Sequence, residues 1–303
     1  MNKIVIIGCG NVGMSYAYAL VNQNTSVNEL VLIDLDIERI KGEVMDLNHC
    51  LAFTPNKIKI KVGDYKDCMD ATIVVISAGA NQKKGETRLD LINKNSIIFK
   101  SIIEKVMENN FKGIFLVATN PLDIMTYLAY KYSNLPSSKV IGSGTSLDTA
   151  RLRYIVGDKL KVNPKNIHAY VIGEHGDSSF VPWSTAFVGL QSIYDFLDTK
   201  ELHQICEEVK NAAYEIIDKK GATYYGIGVS LVMITNAILN NENSVITVSG
   251  YDIENDVYIS TPAIINKYGL KCKIKCKLNE KETINLNKSI NVIKDAINKV
   301  EKI

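Results

Sequence analysis

A histidine bracketed by glycines stands in the stretch Gly173-Glu174-His175-Gly176-Asp177, directly after an apolar run that predicts a strand over 167–172. Imidazole is the side chain best suited to exchange a proton near neutral pH, and the glycines leave a ligand room beside it. Leu147-Asp148-Thr149-Ala150-Arg151 lies in a stretch that predicts a helix over 146–160, which puts Asp148 and Arg151 on one face. An acid such as Asp148 against the far nitrogen of His175 would fix its tautomer and favour its charged form. Arg151 could hold a small carboxylate through two parallel hydrogen bonds. Taken alone, each cluster favours the plainer reading, a salt bridge on a helix surface for Asp148 and Arg151 and a satisfied loop histidine for His175. A third cluster, Ala80-Asn81-Gln82-Lys83-Lys84-Gly85-Glu86-Thr87-Arg88, is polar and has the makings of a lid that closes with Arg88 over a bound ligand. Lys83 and Lys84 read as solvated surface. The fourth, Asn120-Pro121, ends a strand, and the sequence leaves the isomer of that bond open.

These residues need a scaffold, and the N-terminus supplies its first turn. Ile4–Ile7 is an unbroken β-branched apolar run, the pattern of a strand buried on both faces of a parallel sheet. Gly8, Gly10 and Gly13 follow as G-x-G-x-x-G, and a helix-like segment starts at once. Gly8 permits the tight turn, Gly10 lets backbone approach a pyrophosphate, and Gly13 lets helix pack on strand. The helix then points bare N–H groups at the phosphates. A second run, Leu30–Ile33, ends in Asp34 about 20 residues further on, where a carboxylate accepts both ribose hydroxyls. A 2′-phosphate would be repelled there, so the cofactor expected is NAD rather than NADP. Gly8, Gly10, Asn11, Val12, Gly13, Asp34, Ala78, Gly79 and Asn120 are the candidate cofactor contacts.

Further strands are expected at 57–62, 72–77, 113–118 and 139–141, with a long helix between those at 72–77 and 113–118. The alternation argues a Rossmann-type doubly wound parallel sheet, in which ligands sit beyond the carboxyl ends of the strands. After about residue 143 the pattern changes to long helices and an antiparallel group at 245–249, 256–261 and 271–278, closed by an amphipathic helix over 284–300. We expect an NAD-binding domain over 1–143 and an α+β catalytic domain over 144–303.

The totals narrow the rest. The 303 residues are 46% apolar and 22% charged, with net charge +2, the profile of an ordinary globular protein. The charge is too small to argue a nucleic-acid or lipid-surface partner. No apolar stretch approaches the ~18 residues of a membrane span, and the first strand begins too early for a signal peptide. The six cysteines are scattered. Cys272 and Cys276 alternate with lysines and are expected on the inner face of a half-buried strand, with no further Cys or His nearby to build a metal site. A cytoplasmic location follows as the expectation.

Together the motifs resemble the L-lactate dehydrogenase family, and the match runs essentially from Lys3 to the C-terminal helix. The motifs in family order are Gly-Cys-Gly-Asn-Val-Gly at 8–13, Asn-Gln-Lys-Lys-Gly-Glu-Thr-Arg at 81–88, Leu-Asp-Thr-Ala-Arg at 147–151, Gly-Glu-His-Gly-Asp at 173–177 and Lys-Gly-Ala-Thr at 220–223. The resemblance implies reversible reduction of pyruvate to L-lactate, with His175 as proton donor and acceptor and Asp148 as its partner. It gives Arg151 the substrate carboxylate, Arg88 the reacting carbonyl, Asn120 a hydrogen bond near it, and Gln82 and Thr223 the pocket for the substrate side chain. Malate dehydrogenases of the same superfamily look similar but carry an arginine at the place of Gln82, to pair a second carboxylate. Over a neutral side chain, oxaloacetate would bury an unpaired charge at a cost of several kcal/mol. Members activated by fructose 1,6-bisphosphate bind it through residues matching Arg153 and His168, across a subunit interface of a homotetramer. An exposed arginine and an ordinary strand-start histidine explain that pair equally well. The rivals are a malate or broader 2-hydroxy acid dehydrogenase, and a non-catalytic NAD-binding scaffold. The scaffold would be expected to lack the His–Asp pair or either arginine, and all four are present.

Overall fold

Apolar side chains alternate in ownership along the N-terminal strand β1 (Lys3–Ile7): Ile4 and Ile6 join one core, Val5 and Ile7 the other, all essentially shut off from solvent. A strand apolar on both faces needs helices on both sides, and the computed structural model, which describes residues 1–80 and 88–300, supplies them. The elements that follow are α1 (Asn11–Asn22), β2 (Glu29–Ile33), α2 (Ile37–Cys50), β3 (Lys59–Val62), β4 (Ile73–Ile76), α3 (Arg88–Glu108), β5 (Ile114–Val117), α4 (Leu122–Ser133) and β6 (Val140–Gly142). These six strands lie parallel in the order β3-β2-β1-β4-β5-β6, a doubly wound sheet.

The chain continues through α5 (Ser146–Leu160), β7 (Ile167–His168), β8 (Phe187–Val188), β9 (Gln191–Ser192), α6 (Thr199–Lys220), α7 (Tyr225–Leu239), β10 (Ser244–Asp252), β11 (Val257–Asn266), β12 (Gly269–Lys273) and α8 (Glu280–Val300). The antiparallel group β10–β12 does not stand apart. Its first strand pairs with β6 at Ser249–Gly142, extending the parallel sheet to nine strands. Helices α1, α2 and α7 cover one face of this sheet, and α3, α4 and α8 the other. Fully burying each Val, Leu or Ile in such layers contributes roughly 1.5–3 kcal/mol. A third, smaller core joins α5 to α6 under the short sheet β7-β8-β9. Among the described residues no helix is long and apolar enough to cross a membrane.

Two sequence expectations need correction. The strand expected over 167–172 stops at His168, because the next backbone groups bond to side chains of α5 and of Thr145 at its start instead of a neighbouring strand. Arg153 Nε donates to the Ala169 carbonyl (3.1 Å), the Val171 N–H donates to Thr149 Oγ1 (3.0 Å), and Thr145 Oγ1 donates to the Val171 carbonyl (2.5 Å). Side-chain bonds of this kind compete with a sheet ladder. The strand expected over 271–278 is instead 269–273, and Cys272 is exposed while Cys276 is only half-buried. A bulge between Ile264 and Ile265 shifts the register of β11 against β12. That shift reverses which side chains face inward, so Leu270 and Lys273 lie over Gly250 where alternation placed the cysteines.

Candidate active site

The glycine turn at the end of β1 has the geometry its residues require. Gly8 has φ +91°, and a Cβ there would lie 2.3 Å from the Ala78 nitrogen. A Cβ at Gly13 would lie 2.2 Å from the Gly8 carbonyl oxygen, so neither position admits a side chain. Around Gly10 the same test meets open space, and Gly10 caps α1 with no side-chain bond and no acid in the first turn. Bare N–H groups at a helix start beside open space suit a pyrophosphate, and Asn11, Val12 and Gly13 form that first turn. Ala78 and Gly79 follow the end of β4, where Thr119 Oγ1 donates to the Ala78 carbonyl (2.8 Å).

Asp34 stands just past β2 and is held toward this turn. Its Oδ2 accepts the Cys9 N–H (2.7 Å) and lies 3.1 Å from Arg39 Nη2. Burial alone would raise its pKa, but the backbone N–H bonds and the Arg39 charge hold the carboxyl below its ordinary value. It is therefore a fixed acceptor of the kind that ribose hydroxyls require. Arg39 is in turn occupied by Asp34, Asp36 and Glu43, and it donates to the Cys9 carbonyl (2.8 Å). The residues present fit an NAD molecule.

The second cluster forms where α5 meets the loop after β7. His175 Nδ1 lies 2.8 Å from Asp148 Oδ2, and Arg151 Nη1 donates to Asp148 Oδ1 at 2.7 Å. The Asp148 and Arg151 side chains are only 14% and 13% exposed and that of His175 is 27% exposed, which rules out a salt bridge on a solvated surface. Burial pulls the imidazole pKa down, but the charge and hydrogen bond of Asp148 outweigh it and leave the ring above its ordinary value. Burial likewise works against the Asp148 carboxylate, yet His175 and Arg151 hold it ionised well below the usual range. The arrangement is a cation-stabilised acid–base pair in which Nε2 is left for a ligand.

The remaining predicted residues are placed as follows. The Asn120–Pro121 bond is cis, and the Asn120 carbonyl accepts from Asn95 Nδ2 (3.0 Å). Thr223 is half-buried in the turn between α6 and α7, whose Gly226 abuts Leu147 of α5. Arg153 stacks on the Tyr170 ring (4.7 Å) and donates to the carbonyl of Ala169, the residue after His168. Gln82 lies outside the described residues, as does the Arg88 side chain.

Two residues escaped sequence reasoning. Asn95 on α3 is buried, accepts the Ala80 N–H (2.7 Å) and reaches Asn120, thereby tying Ala80 to the cis turn. Asp123 on α4 accepts the backbone N–H of His175 at 2.7 Å. Nothing in local spacing marks either one, since both act on partners distant in the chain.

A doubly wound sheet with an adenosine-side acid, a bare helix start and an imidazole–carboxylate pair beyond it defines an NAD-dependent dehydrogenase. Residues 2–142 match the lactate/malate dehydrogenase NAD-binding domain, and residues 145–303 the lactate/malate dehydrogenase alpha/beta C-terminal domain. The chain belongs to the lactate/malate dehydrogenase family. It is 52% identical to an L-lactate dehydrogenase of Geobacillus sp. (strain WCH70), over 99% of this chain and 97% of that one. Among solved structures it is similar to a lactate dehydrogenase from a Medee basin deep-sea metagenome library (TM-score 0.96, 52% identity, 99% of each chain). It is equally similar in fold to the ligand-bound minor L-lactate dehydrogenase of Enterococcus mundtii (TM-score 0.96, 43% identity, 99% and 98% of the two chains).

Proposed function

We propose that the protein is an NAD-dependent L-lactate dehydrogenase that interconverts pyruvate and L-lactate. The observation that carries the reading is the partly buried His175–Asp148–Arg151 chain, an acid–base group whose proton is held by one carboxylate beside a guanidinium. The full-length similarity to proteins named L-lactate dehydrogenase supports the choice of substrate. When bound, the dihydronicotinamide supplies the hydride. His175, protonated, passes its proton through Nε2 to the keto oxygen, while Asp148 keeps Nδ1–H oriented and offsets the ring charge. Arg151 takes the pyruvate carboxylate with two hydrogen bonds. By the family resemblance Arg88 stabilises charge developing on the keto oxygen, Asn120 hydrogen-bonds near it, and Gln82 and Thr223 border the methyl group.

The chain divides near residue 143 into a cofactor half and a substrate half. Arg153 and His168 form an anion site for fructose 1,6-bisphosphate between subunits of a homotetramer. The bond from Arg153 to the Ala169 carbonyl, one residue past His168, supports this reading. Six free thiols suit the cytoplasm.

The deciding assay follows NADH oxidation with pyruvate against oxaloacetate, with and without the sugar bisphosphate at sub-saturating pyruvate. Pyruvate should be preferred, and a preference for oxaloacetate refutes lactate as the product. An unchanged rate with the bisphosphate at mildly acidic and neutral pH refutes the anion site. Changing His175 to Ala should lower turnover by at least ~10²-fold.

A further inference from the structure

Asp123 is an acid in a place that disfavours its ionisation. It sits in the first turn of α4, it is 3% exposed, and no cation lies within ion-pair distance among the described residues. Its Oδ2 accepts the His175 N–H (2.7 Å) and its Oδ1 accepts the Ser249 hydroxyl (2.5 Å). An amide or a hydroxyl would hold the same N–H without the cost of burying a carboxylate. A carboxylate here therefore calls for a role, and its Oδ2 holds the backbone of the residue whose ring charge it favours.

We propose that Asp123 is a positioning residue for the acid–base site: it grips the His175 backbone from α4 and supplies the second negative charge that keeps the ring protonated. The inference rests on His175 being the proton carrier. The charged groups around the pair are Asp148 and Arg151 from α5, Glu174 from the same loop, and Lys273 from β12. Asp148 and Asp123 favour the imidazolium, while Arg151 opposes it. Burial pushes the Asp123 carboxyl up to about 6, with Ser249, the His175 N–H and the imidazolium charge each acting to lower it. Above that value the carboxylate form predominates, and its charge favours the imidazolium. The same loop is bridged to β11 by paired bonds between Gly173 and Ser260 (2.9 and 3.0 Å), so Asp123 and β11 fix it from two sides.

The test is the D123N variant, which keeps an acceptor for the N–H while removing the charge. The His175 titration is followed by NMR in the chain alone, assigned among the four histidines with a His175→Asn control. In parallel, the alkaline limb of kcat/KM for pyruvate is measured. The expected result is that both midpoints move acid by about half a unit or more, roughly threefold in the proton-binding constant, with KM for pyruvate at pH 6 near normal. Superimposed NMR titrations overturn the inference. A shifted ring with an unshifted kinetic limb upholds the electrostatic role of Asp123 and refutes His175 as proton carrier. Ser249→Ala serves as a second variant should the amide fail to fold. It makes the carboxyl harder to ionise, so the ring midpoint should fall in the same direction, and an unmoved midpoint there also overturns the inference.

Discussion

Asp148→Asn probes the acid–base site most directly, because the structure gives Asp148 two donors and an amide can satisfy only one. Oδ2 faces His175 Nδ1 at 2.8 Å and Oδ1 accepts from Arg151 Nη1 at 2.7 Å. Asparagine offers one acceptor and one NH2 donor, so whichever way it turns, a donor meets either the guanidinium or Nδ1. Facing Nδ1 with NH2 it would hold the ring in its neutral form. A hydrogen bond to a charged group in this setting contributes about 1.5–3 kcal/mol, and one pKa unit corresponds to 1.36 kcal/mol. Removing it should lower the imidazole midpoint by about one to two units. The sign follows from the raised value in the native protein: pyruvate reduction needs the protonated ring, so activity is fully present below the midpoint and lost as pH rises through it. The variant should lose ~10–100-fold in kcat/KM for pyruvate at pH 7, and the deficit should shrink on acidification. The assay is a steady-state pH profile of NADH oxidation. An unshifted alkaline limb with a uniform loss would refute the assignment of that limb to His175 held by Asp148.

Three other perturbations test separate parts of the structure. Asp34→Ser removes the ribose acceptor and releases Arg39 from one of its three acids, so the ratio of kcat/KM for NADPH over NADH should rise at least ~10-fold; an unchanged ratio contradicts the role of Asp34. Gln82→Arg should move preference from pyruvate toward oxaloacetate, read as the ratio of the two kcat/KM values, and no movement counts against Gln82 as the discriminating residue. Tyr16→Phe deletes a buried hydroxyl bonded to Thr235 Oγ1 (2.6 Å) where α1 packs on α7, and should destabilise the protein by about 1–2 kcal/mol in urea unfolding without altering substrate preference.

What the sequence disclosed was mostly local. The apolar runs at Ile4–Ile7 and Leu30–Ile33 announce strands covered on both faces, the glycines at 8, 10 and 13 announce the turn, and the helix expected over 146–160 is observed as Ser146–Leu160. Asp148 and His175 could be nominated because their chemistry is suggestive at short range. What stayed hidden depends on contacts between distant segments. Thr145 and Thr149 take over the hydrogen bonds a strand at 169–171 would have made, and a single bulge at Ile264–Ile265 turns Cys272 outward. Asp123 looks like an ordinary acid at a helix start until α4 is seen against the loop 52 residues later. No periodicity encodes those meetings.

The bridge between β6 and β10 bears on how this scaffold can be recombined. Gly142 and Ser249 pair as sheet partners, and Gly173 bonds Ser260 through the backbone, so these seams are joined by main-chain groups. A chimera joining the first 143 residues of this chain to the remainder of a relative should therefore keep its sheet intact. The compatibility that must travel with the graft is smaller and chemical. Gly142 has no space for a side chain between Thr126 and Ser249, and the acid at 123 must meet a hydroxyl contributed by the other parent. A fusion that mismatches that couple would assemble, bind dinucleotide, and turn over slowly.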